Sequence, residues 1–87
     1  MDENDRDALG RVQHAWSTSP APPSERVIAG KLFELLNAIP ENWAKALGKF
    51  RTTDERILQE AAGRGGPLAP YFLRAAEIIH RLRQAAR

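Results

Sequence analysis

The chain contains no cysteine, so neither a disulfide nor a thiolate metal site can hold it together. No apolar run in it approaches the roughly 20 residues that a membrane-spanning helix needs. Clusters of β-branched residues are scarce, which removes the usual signal for strands. There are only two histidines, and no Gly-rich phosphate loop of the required pattern. Ser17, Thr18 and Ser19 lie in a proline-rich stretch where nothing holds a base against them. His14 has no obvious carboxylate partner. These absences point away from catalysis, and a non-enzymatic protein with no metal and no small-molecule cofactor is expected.

What is present begins with the charge distribution. At 87 residues the net charge is +2, but residues 1–7 hold four acids and one arginine while residues 64–87 hold five arginines and one glutamate. Such asymmetry fits an anionic partner at the basic end, or the two ends attracting each other. The acidic opening "MDENDRD" is the wrong charge for a signal peptide or a mitochondrial presequence, so a cytoplasmic location is expected. Arginine outnumbers lysine ten to three and alanine is the commonest residue, a codon-level hint of a GC-rich bacterial or phage source.

Apolar positions recur at helical spacing throughout, so the chain reads as all-α. A first helix is predicted from about Asn4 to Trp16, with Leu9, Val12 and Trp16 on one face. Pro20, Pro22 and Pro23 then supply no amide donors and hold the chain extended. The organisation expected is an N-terminal amphipathic arm over 1–16, a Pro-rich linker over 17–23, and a helical domain over 24–87. In that domain Ser24 caps a helix ending near Ile39, "PENWAKALGKF" forms a second, and Thr52 with Glu55 gives the capping-box signature of a third. "GRGGP" is a loop, and a last helix starts at or near Pro67 or Pro70. The expected form is a compact antiparallel bundle of about four helices preceded by the arm.

Three patterns invite a sharper reading. "EIIH", Glu77 to His80, has the Glu-x-x-His spacing of a di-iron bundle, but both side chains project away from Phe72, Ile79 and Leu82. A surface ion pair from Glu77 to Arg81 explains it better. The run from Trp43 to Gln59 has part of the spacing of a helix-turn-helix, with Ala44 and Gly48 at its small-residue positions. An apolar residue is then needed where Asp54 stands, and Asp54 and Glu55 would repel phosphate at the reading end. Arg74, Arg81, Arg83 and Arg87 are the remaining candidates for contacting DNA or RNA, although they do not line one stripe. "GRGG" at Gly63–Gly66 resembles one RNA-binding RGG unit and carries little information alone.

The arm carries the spacing i, i+3, i+7 at Leu9, Val12 and Trp16 that suits docking in a groove. It either folds back on its own bundle, remains a tail, or docks on another chain. The helix after the linker has an apolar arc from Ile28 through Leu32, Leu35, Leu36 and Ile39 that Ala29 and Phe33 widen to roughly 160°. A core of about sixty residues buries little surface and is marginal alone. A small interaction protein is therefore expected: an adaptor, docking domain, inhibitor or regulatory subunit, with another protein or a second copy as partner. Leu9, Val12, Trp16, Phe33 and Trp43 are the candidate contact residues. On this reading Trp16 can change without loss of fold, whereas Trp43 or Leu47 cannot. The alternative is a DNA- or RNA-binding regulator acting through the basic last helix.

Overall fold

Asp2 starts the first helix, its side-chain oxygen accepting a hydrogen bond from the Asp5 N–H at 2.8 Å. Glu3 and Asp5 in the first turn complement the helix dipole, and Gly10 does not break the helix, which runs as α1 over Glu3–Thr18. The computed structural model describes residues 1–86. The elements that follow are α2 (Pro23–Asn37), α3 (Pro40–Leu47), α4 (Thr52–Gly63) and α5 (Ala69–Ala85), with no strand among the described residues.

Local chemistry moves several boundaries from their expected places. Pro23 occupies the first turn of α2, where its missing N–H is no loss, so Ser24 lies inside the helix and is not its cap. Thr52 likewise belongs to α4. Arg51 stands at the N-cap, and its N–H donates to Asp54 Oδ2 at 2.7 Å. Asp54, one residue earlier than expected, is thus the capping acid, which leaves Glu55 free for contacts elsewhere. α2 stops at Asn37, two residues short of Ile39, because Pro40 forces its predecessor out of helical backbone. Between α4 and α5, Gly65 and Gly66 take positive φ values of 79° and 95°. That conformation, accessible to glycine at little cost, explains "GRGG" as a turn.

The prolines do not release an arm. Only residues 19–22 separate α1 from α2, and this short connection brings α1 directly against α2. α1 also packs on α5, α5 on α4, and α2 on both α3 and α4. A single apolar cluster takes in Ala8, Leu9, Val12 and Trp16 together with Ile28, Leu32, Leu35, Leu47, Leu58 and Ile79. The boundary expected at 17–23 therefore falls inside one core. The Cα radius of gyration is 11.9 Å. One compact domain of this length is expected at about 12 Å, so no helix stands away from the rest.

Four carboxylates are buried, and each meets a cation on another element. Asp5 of α1 pairs with Arg81 of α5, which joins the acidic beginning of the chain to its basic end. Glu25 of α2 pairs with Arg64 at 2.9 Å. Asp54 of α4 pairs with Lys31 of α2 at 2.7 Å. Glu55 of α4 receives both Arg83 and His80 of α5, the latter with Nδ1 at 2.9 Å. Burying a carboxylate is tolerable only with such partners, so these pairs fix which helix faces which.

Candidate functional site

The five candidate contact residues separate into two groups. Leu9, Val12 and Trp16 are interior, and Trp16 is only 5% exposed. Its indole stacks on Phe72 of α5 with ring centroids 5.1 Å apart. The proximity of Arg11 to the Tyr71 ring, 5.0 Å from its centroid, adds a cation–π contact between the same two helices. The face offered as a partner contact is thus closed by α2 and α5, the folding back of the first helix onto its own bundle that was one of the three arrangements its sequence allowed. Phe33 and Trp43 behave differently. Phe33 is 56% exposed and Trp43 is half-buried.

Phe33 is exposed for a simple geometric reason. At 100° per residue it lies at the far edge of the α2 apolar arc, about 100° from Leu32 and about 140° from Ile28. The neighbouring helices cover Ile28, Ala29, Leu32 and Leu35 and do not reach round to it. Arg26, Gly30 and Asn37 share its edge, following the i, i+4, i+7, i+11 spacing within roughly 60°.

Phe33 stands as a wall between two grooves. On one side, Gln13, Trp16 and Ser17 of α1 face Arg26, Ala29 and Gly30 of α2 around a cleft of about 370 Å³. On the other, Glu34, Asn37 and Ala38 face Asn42, Lys45, Ala46 and Lys49 around a cleft of about 360 Å³. Ala38 leads on to a third hollow of about 460 Å³, walled by Met1, Arg6, Pro40 and Trp43. The three lie in succession beside α2 as an interrupted track, the first two sharing Phe33 and the last two sharing Ala38. From Arg26 to Ala38 it covers roughly 18 Å of helix axis at 1.5 Å per residue. Ile39, 57% exposed, follows at its end.

The track is lopsided in charge. Arg6, Arg26, Lys45 and Lys49 line it, against Glu34 alone. Glu34 is held by Lys49 at 2.6 Å. Arg26 donates only to the Ala21 carbonyl at 3.3 Å, and Arg6 to the Leu36 carbonyl at 2.5 Å. Lys45 makes no ion pair among the described residues. Gly30 forms part of the floor, and a Cβ built there meets nothing within 4 Å. A glycine inside a helix costs roughly 0.5–1 kcal/mol relative to alanine, and no internal contact requires this one.

The arginines proposed for nucleic acid are differently placed. Arg81 and Arg83 are engaged by Asp5 and Glu55. Arg74 is exposed without an ion pair among the described residues, and Arg87 lies outside those residues. Glu77 makes no ion pair with Arg81, whose guanidinium is drawn instead to the more buried Asp5. Glu25, chiefly by its hydrogen bond and then by its charge, pushes the Arg64 guanidinium further above its ordinary range. Among the described residues no cluster of three or more His, Asp or Glu side chains is arranged to hold a metal ion, and no helix is long and apolar enough to cross a membrane.

Comparison with protein-family models, with curated proteins and with solved structures finds no match for this chain.

Phe33 and Trp43 are legible in the sequence as apolar helix residues, whereas nothing in it singles out Arg26, Lys45 and Lys49, which line the same grooves, and Gly30 stands out only as a break in the pattern. Gly30 left a signal, since a glycine in the middle of a strong helical pattern has a cost that asks for a reason. The lysines left none, because their convergence on Phe33 depends on how α3 packs against α2.

Proposed function

We propose that this chain is a small non-enzymatic docking protein, cytoplasmic in location, whose α2–α3 face receives another protein. The observation that carries this reading is Phe33: a large aromatic ring, 56% exposed, set between two grooves on a rigid helix. Aromatic anchors flanked by clefts are where interface energy concentrates. Val27, Ile39 and Leu73 are also exposed, but none lines either of those two grooves. Adaptor, inhibitor and regulatory subunit are the roles such a surface serves.

The alternative, a nucleic-acid regulator working through α5, has less to recommend it, since Arg81 and Arg83 already neutralise buried acids.

The test is calorimetric titration of a purified binding partner against wild-type chain, Phe33→Ser and Leu73→Ser. Loss of at least about tenfold in affinity for Phe33→Ser, with Leu73→Ser unchanged and both variants folded, is the expected result. Equal effects from the two substitutions, or a gel shift on DNA or RNA that depends on Arg74, would reject the reading.

A further inference from the structure

Resting on that reading, we infer that the occupant of the α2–α3 track is an acidic amphipathic helix from a partner protein. Its apolar side chains would seat on either side of Phe33, and its carboxylates would face Arg26 and Lys45.

Three observations converge on this occupant. The first is charge. Arg6, Arg26, Lys45 and Lys49 line the track against one glutamate, and that glutamate is already paired with Lys49. Lys45 makes no ion pair among the described residues, and Arg6 and Arg26 reach only backbone carbonyls. A basic or neutral segment would leave these three without a carboxylate, while an acidic one is steered in and held in register. The second is shape. Grooves between helices accept an amphipathic helix through anchors at i, i+3, i+4 and i+7, and no strand edge exists among the described residues to bind an extended peptide. The length is right as well, because the roughly 18 Å from Arg26 to Ala38 accommodates about twelve residues of bound helix.

The third observation is Gly30. Its missing side chain opens the floor beside Phe33, with empty space where a Cβ would stand. Gly10 in α1 likewise has open space at its Cβ position, but it is Gly30 that lines the groove beside Phe33. Gly30 acts as a specificity residue, letting an anchor of the partner approach the α2 backbone more closely than alanine would allow.

The experiment is selection from a displayed library of linear peptides on the intact chain, followed by affinity measurements with the enriched peptides at low and high salt. Enrichment of acidic sequences with apolar anchors at helical spacing is the expected result. Binding should fall about tenfold in Phe33→Ser and Gly30→Ala, and severalfold in Lys45→Glu and Arg26→Glu, with a marked loss at high salt. Gly30→Ala should at the same time raise the thermal midpoint, which separates weakened docking from a damaged fold. Neutral or basic peptides that still depend on Phe33 would overturn the acidic occupant and leave the docking surface standing. Enriched peptides indifferent to Phe33, or no enrichment, would overturn both. Self-association of the chain through Phe33, seen by sedimentation, would replace the partner helix with a second copy. Oligonucleotide binding abolished by Lys45→Glu would replace it with nucleic acid.

Discussion

Trp16 and Phe33 are both large aromatic residues on amphipathic helices of one short chain, yet the first is 5% exposed and the second 56%. The difference comes from neighbours. α1 offers a narrow apolar face, and the cleft between α2 and α5 is wide enough to take all of it, ending on Phe72. α2 offers an arc wider than its neighbours cover, and Phe33 lies on the part left over. Hydrophobicity decides that each face seeks cover, but only the geometry of the packed helices decides which one finds it inside the molecule.

The widest separation between the two regions comes from removing one altogether. Deleting residues 1–18 takes Ala8, Leu9, Val12 and Trp16 from the core, and a truncated chain without a cooperative thermal transition is expected by calorimetry. Trp16→Ala is next. Loss of about 3–5 kcal/mol in urea unfolding is expected, whereas the sequence pattern alone suggests a change that spares the fold. The pairing that holds α5 to α4 ranks third. Glu55→Gln weakens the contacts to both Arg83 and His80 and should cost about 1–3 kcal/mol in the same assay. At the other region, Phe33→Ser should leave stability within about 0.5 kcal/mol while removing partner affinity. Gly30→Ala has the opposite sign, a gain of roughly 0.5–1 kcal/mol. If Phe33→Ser destabilised the chain as much as Trp16→Ala, the contrast between the two aromatics would collapse.

Trp43 lies between these extremes. Leu47 is fully buried and Trp43 only half-buried, so the two are not equivalent anchors of the fold. Leu47→Ala should cost about 2–5 kcal/mol, and Trp43→Ala clearly less. Part of the Trp43 indole faces the hollow beside Pro40 and Met1, which links it to the docking track rather than to the core alone.

Helix periodicity marks Leu9, Val12, Leu32, Leu58, Phe72 and Ile79 as apolar-face residues, and all of them are buried. What the one-dimensional pattern could not supply is illustrated by the acids. Asp54 and Glu55 read as acids at a helix start, Glu55 as the capping acid, whereas both are buried against Lys31, His80 and Arg83 from other helices. The proline run misled for the same reason. Pro20, Pro22 and Pro23 fix local backbone, which is equally compatible with a spacer and with a tight connection.

The amino-acid sequence by itself determined that this chain is helical, where its apolar faces lie and where prolines and glycines interrupt them, because those properties depend on neighbours along the chain. Only the tertiary structure decided that α1 closes the core, that the acidic beginning is tied to the basic last helix, and that Phe33 stays outside among lysines and arginines. Burial and ion pairing are set by residues far apart in sequence, and a helical repeat specifies which face needs cover without specifying what covers it.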